Sequence, residues 1–212
     1  MCSFQLPLDR KTILVEMTGT LVKDEQIKEA IIQAAQKIFQ QYGLTKTTME
    51  DIAKAMGKGK STLYYYFSSK EDIFVSVINK EINEVFDSMV AACQQQQSAR
   101  TKIEVVIKTK VKALHNKLNL YRILSTELPC SRDMMESCRI QFSQREIDLF
   151  VEILQFGVDH QEFNESIQSN LPFLAYVVVS AFRGLEFDLF FSDTDLDAKI
   201  DLLLTILVKG LQ

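Results

Sequence analysis

"TTMEDIAKAMGKGKSTLYYYFSSKEDIF", residues 47–74, carries two short helical patterns on either side of a glycine turn. Thr48 with Asp51 three residues on is close to a capping box, a signature of a helix start. Ile52, Ala53 and Met56 form one apolar face, and Gly57 ends the pattern. Lys60 to Phe67 make a second short helix, and Ser69 with Asp72 caps a third. A helix, a turn of about four residues and another short helix form a helix-turn-helix.

In that motif the second helix lies in the major groove, with its N-terminal residues near base edges. Lys58 and Lys60 bring positive charge to the groove entrance, and Ser61 and Thr62 can donate to phosphates or bases. Tyr65 and Tyr66 offer flat apolar rings with polar tips against sugar and phosphate. Lys70 opens the next helix, whose N-terminal amides also favour phosphate. Leu63, Tyr64 and Phe67 fall on one face and are assigned to packing. Burying Tyr65 and Tyr66 as well would place two phenols on the opposite face of an eight-residue helix. Thr48 joins Lys58, Lys60, Ser61, Thr62, Tyr65, Tyr66 and Lys70 as the candidate DNA-binding residues.

Charge agrees with this division. Residues 23–70 hold eight lysines against five carboxylates, an excess of three. Residues 1–22 balance, and the whole chain of 212 residues carries -4, so 71–212 carries about seven negative charges net. A basic head on an acidic body suits contact with DNA through the head alone.

The stretch resembles the DNA-binding domain of TetR-type transcriptional regulators, with the pattern T-x-x-x-I-A-x-x-A-G-V-S-x-G-T-L-Y-x-H-F followed by a lysine. Ile52, Ala53, Gly57, Thr62, Leu63, Tyr64, Phe67 and Lys70 match in register without a gap. Met56, Lys58, Gly59, Ser61 and Tyr66 depart from it. Gly59 removes the usual hydroxyl cap of the recognition helix, which glycine tolerates. The resemblance covers 23–74; residues 93–212 are similar only in length and helix layout.

Outward from the motif, Ile27, Ala30, Ile31, Ala34, Ile38 and Tyr42 recur at helical steps, and Gly43 follows where a left-handed cap is expected. Residues 1–22, with "KTILVEMTGTLV", show β-branched residues and no helical period, and read as a tail, disordered or loosely attached. Met1 and Met17 both stand as alternative translation starts. After the helix over 69–92, "CQQQQSAR" (93–100) is a polar break. Further helices are expected over 101–119, 120–128, 132–159, 169–191 and 195–211.

The predicted fold is all-α. A three-helix DNA-binding domain occupies 23–68, a connecting helix 69–92, and a helical domain 93–212. The resemblance implies that this last domain binds an effector and dimerises. For the effector, a small apolar molecule, His115, Met135, Cys138, Phe142 and Phe150 are the candidate lining. For a homodimer bundle built from the last two helices, Ser180, Ala181, Gly184, Ile200, Leu204 and Leu207 are the candidate interface. The implied function is a regulator of transcription, a repressor that leaves double-stranded operator DNA when the effector binds. A constitutive DNA-binding protein of the same fold is the alternative.

Other classes lack their residues. Cys2, Cys93, Cys130 and Cys138 form no C-x-x-C pair, and His115 and His160 sit far from a ligand pattern, so neither metal nor cofactor is expected. Scattered cysteines without a signal peptide point to a reducing cytoplasm. "LPFLAYVVVSAF" (171–182) is too short to span a bilayer, so no membrane partner is expected. Phosphate loops, nucleophile elbows and zinc-protease motifs do not occur, and no enzyme is expected.

Overall fold

The computed structural model describes residues 10–116, 132–191 and 196–211, with side chains over 22–113, 140, 142–184 and 198–211. Every regular element among the described residues is helical. The chain divides into two compact units, Met1–Val77 and Ile78–Gln212. The division falls inside one helix rather than at the polar run 93–100. The expected connecting helix over 69–92 therefore contributes to both units.

In the first unit, α1 spans Arg10–Tyr42, α2 Met49–Ala55, α3 Lys60–Tyr66, and α4 begins at Lys70 and ends at Gln94. The start of α1 corrects the expected tail, because residues 10–22 are helical. Once a helix is nucleated, each added residue brings its own hydrogen bond. The β-branched residues of "TILVEMTGTLV" cost only a few tenths of a kcal/mol each against that gain. The buried stripe of α1 is Ile31, Ala35 and Phe39, all fully buried, whereas Ala30 and Tyr42 are exposed. Four-residue steps keep these side chains in one row. Phe39 anchors the row by meeting the Phe74 ring edge to face, with centroids 5.1 Å apart. Ile52, Leu63, Ile73 and Val77 complete this core. Each such side chain contributes about 1.5–3 kcal/mol through burial.

The second unit holds the rest of α4, then α5 (Ala99–Asn116), α6 (Arg132–Asp159), a 3-10 segment (Glu165–Asn170), α7 (Leu171–Phe191) and α8 (Leu196–Leu211). The helix expected over 120–128 lies outside the described residues. Pro172 sits in the first turn of α7, where its missing N–H breaks no helical bond. The core joins Met89, Ile103, Leu154, Val178 and Ile200 from successive helices. Gly157 lets Phe163 close against α6, since a Cβ at that position would stand 2.2 Å from the ring. The start of α5 is capped from a distance: both Glu162 carboxylate oxygens accept the Ala99 N–H at 2.9 Å. Among the described residues, no helix is long and apolar enough to cross a membrane.

Candidate nucleic-acid interface

The turn between α2 and α3 is built by backbone chemistry. The Lys58 N–H donates to the Ala53 carbonyl, and the Gly57 N–H to that of Lys54, each at 3.0 Å. This is a Schellman ending, and it places Gly57 at φ +62°, which glycine adopts without penalty. At the other end of α2, Thr48 and Asp51 complete the expected capping box. The Thr48 hydroxyl donates to Asp51 Oδ2 at 2.6 Å and accepts the Asp51 N–H at 3.3 Å. The Thr48 hydroxyl and backbone hold the Asp51 carboxyl below its ordinary range. Gly59 occupies the N-cap of α3 with no side-chain bond, also as read from the sequence.

Leu63 is the fully buried residue of α3. Lys58, Lys60 and Ser61 are exposed and Thr62 is half-buried, which leaves the start of α3 open to a groove. Tyr65 is 75% exposed. Tyr64, assigned above to packing, is 55% exposed, so that assignment is corrected. Seven residues give α3 fewer than two full turns, and Leu63 fills its contact with the core. Tyr64 thus joins the exposed face that the sequence reading assigned to Tyr65.

Two candidate phosphate contacts have other work. The Tyr66 hydroxyl donates to Asp24 Oδ1 on α1 at 2.7 Å. That bond to a carboxylate pushes the phenol up to about 12. The Lys70 ammonium donates to the carbonyls of Leu44 at 2.8 Å, Thr47 at 2.9 Å and Thr45 at 3.3 Å. It closes the loop after α1, which has carbonyls to satisfy and no helix to satisfy them. Both residues tether the motif in this structure: Tyr66 ties α3 to α1, and Lys70 ties the start of α4 to the loop after α1. Lys60 is shared as well, with Glu50 Oε2 at 2.7 Å. Sequence reasoning passed over Glu50 and Asp24, although Glu50 and Lys54 stand four residues apart, a visible helical ion-pair spacing.

In the second unit, Phe150 lines a cavity of about 10 Å³, room for about one water molecule. Met89, Ile107, Val179 and Phe182 form apolar walls. Lys110 and Glu146 form a buried ion pair in the same wall, at 2.5 Å, with Arg183 3.7 Å from Glu146. The sequence reading named none of these three as lining residues. Phe142 stands beside the cavity residues, its ring centroid 5.6 Å from the Lys110 nitrogen. The side chains of His115, Met135 and Cys138 lie outside the described residues.

The expected interface is partly corrected. Ile200 is fully buried and Leu204 is 6% exposed within the unit's own core, and Leu207 and Ser180 are half-buried. Ala181 and Gly184 are exposed, in line with Phe173 and Val177 on α7. On α8 the exposed apolar residues are Leu202 and Ile206, each 62% exposed. A register shift of two residues turns Leu204 inward and its neighbours outward. Among the described residues, no group of three or more His, Cys, Asp and Glu could hold a metal ion.

Residues 31–77 match the family model described as bacterial regulatory proteins, tetR family. A transcriptional regulator from Cytophaga hutchinsonii ATCC 33406 of known structure is 31% identical, with a TM-score of 0.73 over 87% of this chain and 97% of that one. The fatty acid metabolism regulator protein of Bacillus subtilis (strain 168) is 25% identical over 141 residues, 66% of this chain and 73% of its own. The structure of a regulator FadR from Bacillus subtilis in complex with stearoyl-CoA aligns at 22% identity over 87% of this chain and 99% of that one, with a TM-score of 0.66.

Proposed function

This chain belongs to the tetR family of bacterial regulatory proteins, and we propose that it acts as a cytoplasmic homodimeric repressor that a small, largely apolar effector releases from operator DNA. It is a DNA-binding regulator of transcription and not an enzyme. The observation that carries the DNA contact is the exposed face of α3. Ser61, Tyr64 and Tyr65 point away from a helix that Leu63 anchors, beside exposed Lys58 and Lys60. Lysines fix the protein on phosphates, and the hydroxyl and phenol groups near the helix start supply contacts to sugars and bases.

A second copy is the partner that suits α7 and α8. Phe173, Tyr176, Val177, Leu202 and Ile206 leave apolar rows exposed, and a Cβ added at Gly184 would meet nothing within 4 Å. Two such helices from each protomer make a four-helix bundle, and a two-fold axis presents two recognition helices to successive grooves about 34 Å apart.

The effector reading rests on the cavity around Phe150. Its walls are apolar, with one ion pair to meet a polar group. At about 10 Å³ it is too small for a metabolite, so the helices must separate to admit one. A ligand that binds only the widened form shifts the population toward it. Long acyl chains with a polar head fit that chemistry, and one similar protein is solved with stearoyl-CoA. The nearly filled cavity also favours a second reading, a constitutive DNA-binding protein without an effector. The test is to select bound fragments from random DNA, then titrate acyl-CoA thioesters and other apolar acids against the complex. Release together with a raised melting temperature supports the repressor. Tight binding that no compound changes supports the constitutive protein. Selection of no fragment refutes both.

A further inference from the structure

Glu50 is set between two lysines at the entrance to α3. It stands on α2, 3.2 Å from the Lys54 nitrogen and 2.7 Å from that of Lys60, the first residue of α3. All three side chains are exposed: 48% for Glu50, 72% for Lys54 and 53% for Lys60. The cluster is therefore on the surface, in reach of a docked duplex. Hydrogen bonding to Lys60 and then Lys54 holds the Glu50 carboxyl below its ordinary range, and the same bond holds the Lys60 ammonium above its own.

We infer that Glu50 is a specificity-determining residue, which suppresses sequence-independent DNA binding by occupying Lys54 and Lys60 until a fitting sequence docks α3. The inference rests on the DNA-binding role proposed above. A lysine gains sequence-independent affinity by displacing counterions from a phosphate. Here the phosphate must first displace Glu50, and then lies beside a carboxylate of its own sign. Random DNA offers nothing in return. A fitting site does, because contacts from Ser61, Thr62 and the phenols to bases and sugars form only when α3 is seated. The freed carboxylate can itself accept a hydrogen bond from a cytosine amino group. The same charge thus costs every sequence the phosphate term and returns part of it to some.

The test compares wild type with Glu50→Gln, which keeps the side chain's shape and removes its charge. Affinity is measured on a selected operator and on random duplex over a salt series. The variant should bind random DNA about threefold to tenfold more tightly near 0.1 M salt, with the log–log salt slope steeper by about one to two. Operator affinity should rise less, so the ratio of the two falls. Adding Lys60→Gln to Glu50→Gln should return about half of the slope change. Unchanged or weaker random binding by a variant that melts like wild type overturns the inference. Wild type that binds no duplex at all refutes the DNA-binding role, and this inference with it.

Discussion

Replacing Lys70 by methionine separates a tether from a phosphate contact. The ammonium donates to the carbonyls of Leu44, Thr45 and Thr47 at 2.8, 3.3 and 2.9 Å. Methionine keeps most of the apolar stem and removes all three bonds. A hydrogen bond to a charged group is worth about 1.5–3 kcal/mol net. The three share one ammonium, the site is only part-buried, and water recovers some of the carbonyls. A loss of about 2–3 kcal/mol follows, well below three separate bonds. For a chain of this size that lowers the melting temperature by about 4–12 °C. Circular dichroism melts of wild type and Lys70→Met give the shift, and anisotropy gives DNA affinity well below the melt. The tether predicts the thermal loss with the salt slope of DNA binding unchanged. A melt within about 1 °C of wild type, with a slope reduced by about one unit, would place the ammonium on a phosphate and refute the reasoning.

Leu202→Glu with Ile206→Glu should yield helical monomers in sedimentation, because both side chains are exposed, whereas Leu204→Glu should unfold the chain by burying a charge. Removing the Lys110 ammonium with Lys110→Met should cost less in urea denaturation than the about 3–5 kcal/mol of a fully stranded charge, because Arg183 stays beside Glu146, and adding Glu146→Leu should recover most of the loss. Tyr66→Phe should flatten the alkaline side of the stability curve. The folded phenol titrates at about 12, above its ordinary value, so its contribution is complete below pH about 10 and is lost as pH rises toward 12. The difference between wild type and variant in urea midpoint at pH 9 and at pH 12 reads this directly.

Much of the motif was legible because its signals are local. A cap needs a hydroxyl and a carboxylate three residues apart, as at Thr48 and Asp51. A left-handed turn needs glycine, as at Gly43 and Gly57. What stayed hidden were tertiary choices that such rules do not encode. Lys70 and Tyr66 have groups suited to DNA, and only the fold brings the carbonyls after α1 and the carboxylate of Asp24 within their reach. On α8, Leu202, Leu203, Leu204, Ile206, Leu207 and Val208 cover about two thirds of the helix circumference, so apolar spacing did not distinguish the inner row from the outer one. The ion pair of Lys110 and Glu146 joins residues 36 apart on different helices, beyond any local pattern.

Footprinting of the full chain on DNA selected from random sequence tests the central claim most directly. A homodimer that reads DNA through α3 should protect two half-sites related by a two-fold axis, their centres about one helical turn apart or a multiple of it. Ser61→Ala with Tyr64→Ala should abolish that pattern while the melting temperature stays near wild type, since both side chains are exposed. A single protected patch, or a double variant with an unchanged footprint, would contradict the account.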